Sequence, residues 1–189
     1  GVWEFCCTIN DSWGYRPSDN DYKTSRQIIR MFCDCLTLGG KMLLDVGPKE
    51  DGTLDERQVK VLEDLGTFIH DNEEAIYETE KGLSYSQFLG GSTLSKDKKT
   101  IYLFVYDKPS ENLCIKGVKT PVKRVTVLHT GEELSFSYTG ALPWSGIPGT
   151  LWIRADKMKE HPLVTVLKVE LEGEITYNLG HGEVVTHND

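Results

Sequence analysis

The chain has 189 residues, enough for one or two domains with a real core, and its 39% apolar content argues against a disordered chain. Its 21 basic and 29 acidic residues leave a formal net charge of -8, which argues against a nucleic-acid or anionic-membrane partner. No run of about 18 apolar residues is present to span a bilayer, and no signal-peptide pattern precedes the first strand.

Val2 to Ile9 reads as a strand, with one carboxylate, Glu4, inside an otherwise apolar run between Trp3 and Phe5. A loop follows, Asn10-Asp11-Ser12-Trp13-Gly14-Tyr15. Tyr22 to Leu38 reads as a helix with Ile28, Ile29, Phe32, Cys35 and Leu36 on one stripe, stopped by Gly39-Gly40 in the manner of a left-handed C-cap. Lys41 to Val46 is a short apolar run of buried-strand type. Gly47-Pro48 turns the chain, and Thr53-x-x-Glu56 predicts a capping box before a helix whose inward stripe is Val59, Leu62, Leu65, Gly66 and Ile69. The alternation β-α-β-α implies parallel strands covered by helices.

From residue 83 the pattern changes to short alternating runs separated by turn residues: Thr100 to Asp107, Val122 to His129, Leu134 to Gly140, Thr150 to Ala155 and Thr165 to Gly173. These predict an antiparallel β-sandwich. Lys96-Asp97-Lys98-Lys99 reads as a solvated hairpin tip. The expected division is 1–81 and 82–189, with the boundary near Lys81-Gly82. Two βα units make about a quarter of an eight-stranded barrel, so the first half reads as the tail end of a larger βα domain. A lone parallel pair would leave edges and apolar faces uncovered.

Cys6, Cys7, Cys33, Cys35 and Cys114 fit neither a disulfide framework nor a zinc spacing, and read as small buried hydrophobes. Cys6 and Cys7 must point to opposite faces of their strand. His70, His129, His161, His181 and His187 are scattered without ligand spacing, so neither a metal nor a cofactor is expected. Gly180 to Glu183, "GHGE", reads as a turn in a tail. Among the aspartates, Asp51-Gly52 is an ordinary turn pair, and neither Asp11 nor Asp45 earns a catalytic role on spacing.

The stretch from Trp3 to Thr79 resembles glycoside hydrolase family 29, the α-L-fucosidases. It carries in order a Trp-Glu at a strand start, Asn-Asp-Ser-Trp-Gly-Tyr, a Gly-Gly helix stop, Leu-Leu-x-x-Gly-Pro and Ala-Ile-Tyr-x-Thr. Two positions depart from the family pattern: Asp45 stands where asparagine is usual, and Glu73 where glycine is frequent. The resemblance implies a (β/α)8-like catalytic barrel followed by a C-terminal β-sandwich, which fits the two halves. It also implies a retaining exo-hydrolase that removes terminal α-L-fucose from glycans, of extracellular, periplasmic or lysosomal type.

In the subgroup resembled, the Trp-Glu glutamate is the general acid/base, which would be Glu4. Such a group must stay protonated near neutral pH, and an apolar, aromatic surround disfavours the charged carboxylate. Trp13, in the loop after the same strand, offers an aromatic face to a sugar and is the expected substrate-binding residue. The nucleophile of the family is an aspartate dozens of residues upstream of the acid/base, and only three residues precede Glu4. The chain is therefore expected to hydrolyse no fucoside alone, and to pair with the missing barrel portion or to self-associate. An alternative reading is a non-catalytic carbohydrate-binding or interaction module, using Trp144, Trp152, Tyr102, Tyr106 or Tyr138 as ring platforms. Core packing is the competing use of that same set.

Overall fold

A computed structural model describes residues 3–178. The start of the first strand at Val2 and the turn read at Gly180 to Glu183, with His181 and His187, lie outside those residues.

Two parallel strands, β1 (Glu4–Thr8) and β2 (Lys41–Asp45), pair in register from Glu4 with Lys41 to Thr8 with Asp45. Helix α1 (Ser25–Thr37) crosses between them. It starts later than Tyr22 because Thr24 and Gln27 form a reciprocal capping box. Tyr22 instead bridges to Asn10, and its ring lies 3.8 Å from the Arg57 guanidinium. Gly39 ends the helix at φ 74°, as its sequence predicts. Helix α2 (Glu56–Asp71) is capped by Asp55, which accepts from the Arg57 N–H. The expected cap, Thr53, is held instead by Asp51 in the preceding turn. The inward stripe is also rotated from the expected one: Gln58, Val61 and Phe68 are buried, whereas Val59 and Gly66 are exposed. A one-turn helix, α3 (Glu73–Ile76), follows.

Successive side chains on a strand face opposite ways. On β1, Cys7 and then Ile9 turn towards the helices, where Ile9, Ile28 and Val61 form a small core with Met42, Leu44 and Val46 against it. The opposite face carries Glu4, Cys6 and Thr8, with Lys41, Leu43 and Asp45 beside them. Glu4, Cys6, Lys41 and Leu43 are exposed there. Cys6 and Cys7 thus split between the two faces as expected.

Eight antiparallel strands build the rest: β3 (Thr79–Lys81), β4 (Gly91–Ser95), β5 (Thr100–Val105), β6 (Asn112–Ile115), β7 (Val122–Val127), β8 (Phe136–Thr139), β9 (Thr150–Arg154) and β10 (Thr165–Leu171). A five-stranded sheet in the order β3-β4-β5-β10-β7 faces a three-stranded sheet in the order β6-β9-β8. Leu103, Val125, Ile153, Leu167 and Val169 fill the space between them. The chain is mostly sheet, and the sandwich stands as the sequence predicts.

The five-stranded sheet is covered on its other face too. Tyr102, Phe104, Val164 and Val166 share one core with Ile29, Cys33, Phe68, Ala75 and Ile76 of the helices. This explains the unbroken apolar run Ile101 to Val105, all of it buried: a strand covered on both sides has no polar face to show. Polar bonds reinforce the seam. Tyr106 Oη donates to Asp34 Oδ1 at 2.7 Å, Ser92 N–H to Thr37 Oγ1 at 2.8 Å, and Thr93 Oγ1 to the Ala75 carbonyl at 2.7 Å. Strand β3, just before the expected boundary near Lys81-Gly82, pairs with β4 of the sandwich sheet.

Candidate active site

Strand β1 runs from Glu4 to Thr8, and the loop after it returns to α1 at Thr24. The following loop, residues 46–55, leaves β2 at the same end, as parallel strands require. The two loops touch. A Cβ on Gly47 would collide with the backbone of Gly14 and Tyr15, so only glycine allows this approach. Gly47 N–H donates to Gln58 Oε1 at 3.2 Å, and Lys49 Nζ stands 5.9 Å from the Tyr15 ring.

Asp19 organises the first loop. Its Oδ2 accepts from Asn10 Nδ2 and from the Ser12 N–H, both at 2.9 Å, and its Oδ1 accepts from the Asp21 N–H at 3.2 Å. Hydrogen bonding from Ser12 first, with Asn10 and the Asp21 and Ser12 amides, holds the Asp19 carboxyl below its ordinary range. Asn10 is 1% exposed, and the Thr8 hydroxyl donates to its carbonyl. Clamped at its base, the loop projects Trp13 with 67% of its surface free. An exposed indole on a braced loop is suited to the apolar face of a sugar ring.

Glu4 is at the other end of β1. Four residue steps, about 13 Å at the usual rise, separate it from Thr8, after which the loop that carries Trp13 begins. Phe5, the next residue of β1, faces the opposite side of the strand from Glu4. Trp3 packs over Gly40, its indole N–H donating to the Leu38 carbonyl at 3.4 Å. Asp45 closes β2 beside Thr8, on the face of the sheet that carries Glu4 but at the far end. Asp11 is exposed, and the Asp51 carboxylate is occupied by the Thr53 N–H and hydroxyl.

Sequence reasoning passed over Asp19, Asn10 and Gln58. An Asp-Asn-Asp run shortly before a Thr N-cap is the signal that could have found the first of them. The histidines are less scattered than they read: the rings of His129 and His161 meet at 5.2 Å, and His161 Nε2 lies 3.4 Å from Asp71 Oδ2. Burial, with the neighbouring His161, pushes the His129 pKa down. Among the described residues no group of three His, Cys, Asp or Glu side chains is arranged to hold a metal ion.

Comparison with known proteins points one way. Residues 1–74 match the family model described as Alpha-L-fucosidase. The plasma alpha-L-fucosidase of Homo sapiens is 38% identical over 80 residues, which are 41% of this chain and 17% of that protein. Among solved structures, the alpha-L-fucosidase from Vibrio sp. strain EJY3 superposes with a TM-score of 0.81 at 27% identity, over 94% of this chain and 31% of that one. Alpha-L-fucosidase isoenzyme 1 from Paenibacillus thiaminolyticus gives a TM-score of 0.75 at 27% identity, over 90% of this chain and 40% of that one. The chain thus spans well under half the length of these relatives.

Proposed function

From a chain related to the α-L-fucosidases of glycoside hydrolase family 29, we propose a C-terminal portion of such an enzyme, in which β1, α1, β2 and α2 form one wall of a (β/α)8-type barrel. The sandwich braces that wall from outside. The observation that carries this reading is the parallel pair with helices packed on one face and, among the described residues, no helix or strand packed on the other. A barrel strand has its inner face filled by side chains of the opposing strands. Here that face leaves Leu43 49% exposed beside Cys6, within the stretch that matches the family.

The reaction would be removal of a terminal α-L-fucosyl unit with retention, between two carboxyl groups about 5–5.5 Å apart. The bare face offers two carboxylates, Glu4 and Asp45. They stand at opposite ends of the sheet, about 13 Å apart along the strands, too far to form the pair. In this reading the nucleophile comes from another strand of the complete enzyme, because neither carboxylate of this face can pair with the other.

The loop from Asn10 to Tyr15 follows a strand end, the rim at which barrels do their chemistry, and this favours Trp13 as a sugar contact. Family resemblance gives Glu4 the role of proton donor. Its position at the opposite end of β1 requires the glycosidic oxygen to reach about 13 Å below that rim, so the role needs a direct test. The chain is joined behind the preceding barrel portion of the Vibrio relative and assayed on an aryl α-L-fucoside. Trp13→Ala is expected to raise KM several-fold with kcat little changed, as for a lost ring contact. A proton donor at Glu4 predicts that Glu4→Gln lowers kcat by roughly 10²–10⁴ and removes the basic limb of the pH profile. A loss of less than about tenfold moves that role to a residue at the rim.

A further inference from the structure

The sandwich aromatics divide by environment. Tyr102 is buried against the helices with its hydroxyl on Glu74, Tyr106 is bonded to Asp34, and the Tyr138 hydroxyl accepts from the Val122 N–H. Trp152 has a different setting. It lies on central strand β9, between Cys114 of β6 and Ser137 of β8 in register. Leu113, Ile115, Leu151 and Ile153 alternate with this row and face the core, so the row itself faces outward.

That outer face is hollowed into a cavity of about 300 Å³, lined by Asn112, Ser135, Phe136, Ser137, Trp152 and Arg154. The volume is at the lower end of the range for ligand clefts, about 300–1,000 Å³. The Trp152 Nε1–H donates to Thr139 Oγ1 at 2.7 Å, which fixes the indole across the sheet with the residue partly exposed. The Asn112 amide and the Ser135 and Ser137 hydroxyls make no hydrogen bond to another described residue. Arg154 is 73% exposed, and its charge is offset by Asp156 at 3.8 Å.

We propose that this cleft is a second, non-catalytic sugar subsite that takes one uncharged glycosyl unit. An indole face matches the C–H face of a pyranose, and around it stand donors and acceptors without protein partners, as a polyhydroxylated ring requires. The Arg154–Asp156 pair leaves the patch without net charge, which favours a neutral sugar over an anionic one. The cleft is on the sheet that carries no helices, so the inference does not rest on the catalytic reading and needs no hydrolysis.

The test is an NMR titration of the 189-residue chain with 2′-fucosyllactose, following the indole and amide signals. Saturable millimolar shifts are expected at the Trp152 indole and the Asn112 side chain. Asn112→Ala with Ser137→Ala is expected to weaken binding on the order of tenfold, and Trp152→Ala to abolish it. Because loss of the Trp152–Thr139 bond can disturb β9, Trp152→Phe is the paired variant. It keeps a ring face and is expected to retain part of the affinity with the remaining spectrum unchanged. Absence of saturable shifts at Trp152, shifts confined to Trp13 or Trp144, or affinity unchanged in the Asn112→Ala, Ser137→Ala protein would overturn the proposal.

Discussion

Asp19 is the residue on which the loop beneath Trp13 depends, and its charge sets a pH window. Its folded pKa is lowered, so its contribution is fully present above the unfolded value of about 3.9 and is lost as pH falls through the lower folded value. Protection of the Ser12 amide, whose N–H donates to this carboxylate, measured against its intrinsic exchange rate at each pH, should be high above that window and fall below it. In Asp19→Asn the protection should be low throughout. Equal protection in the two proteins would show that the loop is held by other bonds. At this scale the splitting of Cys6 from Cys7 was legible in the sequence. Asp19 escaped it because a carboxylate used as a hinge for backbone amides has no spacing of its own, only the local Asp-Asn-Asp composition.

Elements were legible where one face decided them and less so where two faces were buried. The stripe on α1 was read closely because Ile28, Ile29 and Cys35 are apolar and buried. The buried stripe of α2 lies about one position from the one its apolar residues predict, because that face includes a glutamine, Gln58, at 0% exposure, which shows little to a hydrophobic pattern. Gln58 is buried for its bond to the Gly47 amide, which links α2 to the loop after β2. Gly47→Ala forces a methyl group into the Gly14–Tyr15 backbone and should cost about 1–3 kcal/mol, read as a lower denaturation midpoint. An unchanged midpoint would mean that the two loops separate readily. Apart from glycine's known freedom, nothing in the sequence could reveal that contact, since it joins residues far apart along the chain.

In the whole molecule, the division near residue 81 was a change of sequence period, and the structure carries one core across it. Phe68 on α2 and Phe104 on β5 are both fully buried in that shared cluster. Phe68→Ala should cost about 3–5 kcal/mol, and helix and sheet signals should move together in a single thermal transition. Two separated transitions would show that the two halves unfold as independent domains. The sandwich was foreseeable from its short alternating runs, but the covering of its outer face by α1 to α3 was not, because no single strand records which surface a helix will choose. The central claim is that the bare face of β1 and β2 is the inner wall of a catalytic barrel completed by preceding strands. The most direct measurement is aryl α-L-fucoside hydrolysis by the 189-residue chain alone and by the same chain joined behind the Vibrio barrel portion. The account predicts no turnover from the chain alone and turnover once the barrel is closed; hydrolysis by the chain alone, or a folded joined protein that never turns over, would contradict it.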